Sequence, residues 1–99
     1  MYVVMTRVRL HPGTSEQCAD LFRQSNPDIV ENEQDWLGAK MIFDNETNTV
    51  TVLATWRDAA SYRAMSGSPK FVDAMSRFSQ FFASAPEISV NDLLVDMTR

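Results

Sequence analysis

The chain has 99 residues, of which 44% are hydrophobic and 22% charged, as expected for one globular domain spanning residues 1–99. Its formal net charge of −4 argues against partners that are polyanions, so we expect neither nucleic-acid binding nor docking on an anionic membrane surface. A single cysteine, Cys18, excludes an internal disulfide, and one histidine, His11, leaves too few ligands for a His–Cys metal site.

The N-terminal sequence predicts a protein that stays in the cytoplasm. Residues 1–10 are too short and too charged for a signal peptide. No stretch approaches the roughly 18 apolar residues of a membrane helix. The thirteen carboxylates show no spacing that suggests a metal site, so we expect none.

The first elements are a strand and a helix. Alternation predicts a strand over Tyr2–Leu10, with Val4, Thr6, Val8 and Leu10 on one face. After the turn at residues 11–13, Thr14 and Gln17 match a capping box that would start a helix. Pro27 removes a backbone donor, so the helix is predicted to end near Asn26, or to restart with a kink.

A hairpin is predicted next. Strand 2 covers Trp36–Phe43, a polar turn covers residues 44–48, and strand 3 covers Thr49–Trp56. Strict alternation on strand 2 places Leu37, Ala39, Met41 and Phe43 on one face, and Trp36 on the other. On strand 3, Val50, Val52, Ala54 and Trp56 share a face.

Helix signals follow the hairpin. Asp58 is a natural N-cap for a short helix ending near Met65, and Gly67 breaks it. Ser68 and Pro69 predict the start of another helix, ended by Ser84-Ala85-Pro86. Its apolar stripe is formed by Phe71, Met75, Phe78 and Phe82. A last strand is predicted over Ile88–Met97.

The order of elements is β-α-β-β-α-β, which predicts an α+β fold of the ferredoxin-like split type. Its four-stranded antiparallel sheet would carry helices on one face only. The other face would expose five apolar side chains, namely Val3, Met5, Leu53, Leu93 and Val95. Because monomers rarely expose so large an apolar patch, we predict a homodimer that stacks two sheets face to face.

With this order of elements, the chain resembles the antibiotic biosynthesis monooxygenase family of dimeric α/β-barrel proteins. The likeness is carried by four features: VRLHPGTSEQ, the Leu37-Gly38 pair, the strand that ends at Trp56, and the run WRDAASYRAMSGSPKF. It covers nearly the whole chain. It implies a dimer with one pocket per subunit between the sheet and the helices.

The resemblance also implies a chemistry. Family members that act on aromatic polyketides convert phenols to quinones with O₂ and use no metal, flavin or haem. They use an Asn, a Trp, a Tyr and an Arg. Trp56 and Tyr62 match two of these, and Arg77 is the candidate for the Arg. Val52 stands where the Asn is expected, which is a departure from that mechanism.

A haem-degrading branch of the family uses a histidine ligand and an Asn on strand 1. This chain has Met75 and Arg77 near the histidine position and Thr6 near the Asn position, so no axial ligand is available. We therefore expect no cofactor.

The function predicted from the sequence is cofactor-independent monooxygenation of a small, ionisable aromatic or polyketide-like molecule. Trp56, Tyr62 and Arg77 are the candidate catalytic residues. The candidate substrate-binding residues come from strands and helix alike: Thr6, Trp36, Met41, Phe43, Phe71, Met75 and Phe78. Two alternatives stay open, a cofactor-free isomerase or lyase that needs a proton shuttle such as His11, and a non-catalytic binding module related to stress.

Overall fold

A computed structural model describes residues 1–99. The strands are β1 (Tyr2–Arg9), β2 (Trp36–Asp44), β3 (Thr49–Trp56) and β4 (Glu87–Asp92). The helices are α1 (Ser15–Val30), α2 (Ala59–Ser66) and α3 (Pro69–Phe78), and α3 continues into a 3₁₀ turn, Ser79–Phe81. The predicted β-α-β-β-α-β order, with a divided second helix, is confirmed.

The four strands form one antiparallel sheet in the order β2-β3-β1-β4. The register sets Val4 opposite Ala54 on β3 and opposite Val90 on β4. Val4 is buried, whereas its neighbour Met5 on the opposite face is only half-buried. The helices therefore cover the face that carries Val4, as the alternation on β1 predicted.

The predicted starts of α2 and α3 are confirmed. Asp58 caps α2, because its side chain accepts a hydrogen bond from the Ala60 amide at 2.9 Å. Ser68 caps α3 by accepting from the Phe71 amide at 3.3 Å, and Pro69 occupies the first turn. These caps fix where each helix begins after the preceding segment.

The predicted capping box at the start of α1 is not formed, so this prediction is wrong. The Thr14 hydroxyl donates to the His11 carbonyl at 2.8 Å, so it closes the preceding turn and makes no cap to the helix. The helix also continues through Pro27 to Val30. Val30 is buried against the sheet side of the molecule, and this burial favours the last turn despite the proline.

The second correction concerns the end of α3. This helix ends at Phe78, earlier than the predicted stop, and Phe82 lies beyond the 3₁₀ turn, where it bridges Leu10. The Ala83 amide donates to the Arg9 carbonyl at 2.7 Å, which draws this segment alongside β1. Backbone pairing with the end of β1 thus replaces the last helical turn.

The third correction concerns β4, which ends at Asp92 rather than Met97. Asp92 pairs with Tyr2, the first residue of β1, so the sheet offers no strand partner further on. Leu93 keeps one hydrogen bond to the Met1 carbonyl, whereas Val95 is 71% exposed. The predicted place of Leu93 and Val95 on the outer face of the sheet is therefore wrong.

A bulge in β2 is the fourth correction. The register shifts between Trp36 and Gly38, so Trp36 pairs with Trp56 and Gly38 with Thr55. Gly38 has a φ of 152°, a conformation that favours glycine. The extra residue, Leu37, turns Trp36 to the face covered by helices, opposite to the face that strict alternation predicted.

The interior contains two separate apolar clusters. One holds Val8, Leu10, Cys18, Val50, Phe78 and Phe81, and the other holds Val4, Trp56, Tyr62 and Met65. Val4 and Val8 lie on the same strand, so one strand contributes to both clusters. No helix combines the length and apolar character that a membrane crossing would need.

Candidate functional site

A cavity of about 110 Å³ lies between the sheet and the helices. Its walls come from β1, β2 and β3 on one side and from α1, α2 and α3 on the other. Both apolar clusters contribute, Val8 and Phe78 from one and Val4 and Met65 from the other. The cavity therefore separates the two halves of the core.

Trp56 is the most deeply buried large side chain of the cavity wall, at 1% exposure. It ends β3 on the helix-covered face. Its indole Nε1 is buried and has no hydrogen-bond partner. An unpaired buried donor is costly, so an acceptor atom brought within reach of this N–H would be favoured.

Tyr62 lies beside Trp56. Asp58, two residues after the end of β3, caps α2, and this helix places Tyr62 beside the indole. The two ring centroids are 5.8 Å apart with an interplanar angle of 66°, an edge-to-face contact. Burial raises the pKa of the Tyr62 phenol, so the group stays a protonated donor at neutral pH.

Trp36 joins this end of the cavity because of the β2 bulge. The sequence placed Trp36 among the substrate-binding candidates but on the wrong face of its strand. The walls also include the four candidates Met41, Phe71, Met75 and Phe78. Methionine and aromatic side chains make an apolar and adaptable surface.

Besides the tryptophans, Tyr62 and Cys18, three lining residues have polar side chains. Thr6 stands on β1 between Val4 and Val8, as predicted, while Ser25 and Asn26 come from α1. The Ser25 hydroxyl donates to the Leu21 carbonyl at 2.7 Å, which leaves its oxygen as an acceptor. Ser25 and Asn26 were missed because Pro27 predicted a helix end there rather than a helix facing a site.

Two predicted site residues lie outside the cavity. Arg77 is on the exposed side of α3, where its Nη2 contacts Asp73 Oδ2 at 3.1 Å. Phe43 is absent from the cavity wall and is 38% exposed near the end of edge strand β2. A one-residue difference in helical position separates the buried Phe78 from the solvated Arg77, so the predicted guanidinium is not brought to Trp56.

The cavity contains no Asp, Glu, His, Lys or Arg side chain. Its ionisable groups are Tyr62 and Cys18, and burial raises the pKa of the Cys18 thiol as well. His11, the candidate proton shuttle, is exposed in the turn after β1. The lining thus offers neutral hydrogen-bond donors and acceptors but no charge at neutral pH.

The fold and this cavity define a ferredoxin-like α+β domain with an apolar ligand-sized cavity under its helices. The family described as antibiotic biosynthesis monooxygenase matches residues 1–77. The chain therefore belongs to the antibiotic biosynthesis monooxygenase family, as the resemblance in the sequence indicated.

Solved structures share the fold at low sequence identity. SnoaB, a cofactor-independent oxygenase from Streptomyces nogalater, is 12% identical with a TM-score of 0.80, covering 99% of this chain and 97% of its own. Rv0793 from Mycobacterium tuberculosis is 11% identical with a TM-score of 0.78, covering 98% of both chains. A protein of unknown function from Nitrosomonas europaea is 18% identical with a TM-score of 0.77, and the match covers 99% of this chain and 93% of that protein's chain. No curated protein sequence matches the chain.

Proposed function

We propose that this protein is a cofactor-independent monooxygenase that acts on a small, ionisable aromatic substrate bound in the cavity under the helices. The observation that carries the proposal is the unpartnered indole N–H of Trp56 beside Tyr62 in an apolar cavity. Membership of the family and the fold shared with a cofactor-independent oxygenase support it.

The proposed reaction requires only hydrogen-bond donors and an apolar cavity from the protein. An ionised phenol supplies the electrons to O₂, one oxygen atom is added to the ring, and the other leaves as water with two hydrogens, giving a quinone. Trp56 and Tyr62 donate to the oxygen that carries the negative charge. The apolar walls exclude water, which strengthens these hydrogen bonds.

Oxygen uptake tests the proposal. A panel of hydroxylated anthrones and quinols is supplied to wild type and to the Trp56→Phe plus Tyr62→Phe variant in metal-free buffer. We expect wild type to turn over at least one member faster than the double variant. Tyr2→Phe, which removes the other phenol hydroxyl of the chain from a residue outside the cavity, is the matched control. Equal rates for wild type and the double variant reject an oxygenase that uses these donors.

The two alternatives have less support. An isomerase or lyase needs a proton shuttle, whereas the cavity lining holds no carboxylate and His11 is exposed in a turn. It predicts solvent deuterium exchange into a sugar-like substrate without O₂ uptake. A module with a vestigial pocket predicts side chains filling the space, whereas about 110 Å³ stays open between them.

We also propose that the protein is a homodimer that stacks the outer faces of two sheets. Val3, Met5 and Leu53 are half-buried on that face, and Ile42 is 53% exposed. Their burial against a second copy would remove this apolar surface from water. Light scattering at micromolar concentration should give twice the chain mass, and a monomer mass would refute the proposal. Leu53→Glu should yield monomers, whereas Val72→Glu on the exposed side of α3 should not.

A further inference from the structure

The size of the cavity restricts what it can hold. An engineered protein cavity of about 150 Å³ lined by aliphatic and aromatic side chains takes up one benzene molecule. The cavity here, at about 110 Å³, is of the same order. Within its walls it has room for one six-membered ring with a small substituent, and fused rings would extend past that space or require the walls to move apart.

The lining also restricts the charge of the occupant. A carboxylate or phosphate entering the cavity would lose its water shell and meet no cation, because the lining contains no Lys, Arg or His. The two cationic side chains of α3, Lys70 and Arg77, are already paired with carboxylates on the outer surface. Transfer of an unpaired ion into such surroundings is strongly unfavourable.

The unpaired donor adds a third restriction. Trp56 Nε1 is a donor only, so it is satisfied by an acceptor atom and not by a second donor. An apolar occupant would leave this N–H buried and unpaired, whereas a carbonyl or hydroxyl oxygen that reaches it would satisfy it.

We infer that the cavity selects uncharged compounds of about one ring that carry an acceptor oxygen directed to Trp56 Nε1, in preference to polycyclic or anionic compounds. This inference names the substrate class and rests on the proposed function only in taking the same cavity as the site. The substrate then binds as the neutral molecule, and because the lining supplies no base, its proton passes to water before the reaction with O₂.

Anaerobic binding tests the inference without turnover. Calorimetry or tryptophan fluorescence compares phenol, 1-naphthol, benzoate, benzaldehyde and toluene at pH 7. We expect phenol to bind about tenfold or more tightly than 1-naphthol, against the usual gain with apolar area. Benzoate should be weaker than benzaldehyde by about tenfold or more. Benzaldehyde should bind about fivefold more tightly than toluene, and Trp56→Phe should abolish that difference in affinity.

A variant with an enlarged cavity tests the size limit in a second way, with the same two probes. Met75→Ala shortens a side chain of the cavity wall and should bring the affinity for 1-naphthol up to that for phenol. Val72→Ala, on the exposed side of the same helix, should leave the ratio unchanged. Circular dichroism of both variants verifies that they fold.

Three outcomes overturn the inference: tighter binding of 1-naphthol than phenol by wild type, equal binding of benzoate and benzaldehyde, or no binding of any probe. The first two leave the oxygenase proposal standing for a larger or charged substrate. Selective binding of single rings without any O₂ uptake from single-ring quinols would instead reject the proposed function and keep the inference.

Discussion

The Ser61 hydroxyl donates to Asp35 Oδ2 at 2.5 Å, joining two segments that are 26 residues apart. Asp35 directly precedes Trp36 and Ser61 directly precedes Tyr62. The Asp35 carbonyl also accepts from the Arg57 amide at 2.8 Å. These hydrogen bonds hold together the chain segments that present Trp36, Trp56 and Tyr62 to the cavity.

Ser61→Ala should therefore lower the free energy of unfolding by about 1 kcal/mol, because a half-buried hydrogen bond to a carboxylate is lost. Urea denaturation measures the change. Ser76→Ala is the matched control, since Ser76 is an exposed residue of α3 and the substitution has the same effect on helix propensity. If both variants have the same stability, the hydrogen bond contributes nothing.

Tyr62→Phe should separate activity from stability. The ring contacts with Trp56 are kept and no protein partner loses a hydrogen bond, so we expect a change of less than about 0.5 kcal/mol in unfolding. On a substrate found in the O₂ panel, kcat should fall about 10²-fold, because a donor to the developing charge is removed. A large loss of stability, or an unchanged kcat, would contradict this role of the hydroxyl.

Stability should fall in alkaline solution because of Cys18. Burial raises the pKa of its thiol above the usual value. From about pH 8.5 up to the raised native pKa, the unfolded chain binds fewer protons than the folded chain, so the free energy of unfolding decreases with pH. The raised pKa of Tyr62 should lower the free energy of unfolding further from about pH 10.

Urea midpoints at pH 7, 8.5, 9.5 and 10 measure this loss. Cys18→Ala should reduce the slope between pH 8.5 and 10, whatever its effect at pH 7. Slopes that are the same in wild type and variant would show that the thiol keeps its usual pKa in the folded protein.

Pro27→Ala should stabilise the protein by about 1 kcal/mol or more. Pro27 lies inside α1 without an amide hydrogen, so the Arg23 carbonyl lacks its helical donor. Thermal unfolding measures the change. Gln24→Ala on the same helix is the control, because it changes helix propensity without restoring a backbone donor. A lower melting temperature for Pro27→Ala would mean that the ring packs favourably in the folded state.

Most of the fold was predictable because the decisive signals are local. Period-two alternation located β1 and β3, and Asp58 and Ser68 marked the starts of α2 and α3. Two of the errors, at the ends of α3 and β4, depend on distant backbone groups. The Arg9 carbonyl accepts a hydrogen bond from the Ala83 amide, and the helical region ends before this contact. Asp92 pairs with Tyr2, the first residue of β1, so β4 ends there.

The site was predictable in part for a similar reason. Trp56 is fixed by an unbroken strand, and Tyr62 by a helix that begins at a recognisable cap. Trp36 depends on a one-residue bulge, which reverses the face that alternation assigns. Arg77 was a candidate by family position, and its place one residue before the buried Phe78 puts it on the solvated side of α3.

The division of the interior into two apolar clusters has a consequence for how long the protein lasts in a cell. A ligand that fills the cavity touches both clusters and makes one continuous core from them. Because it binds only the folded chain, it stabilises that chain in proportion to its concentration and lowers the population open to proteases. The abundance of the protein should therefore rise when its ligand accumulates, without any change in its synthesis.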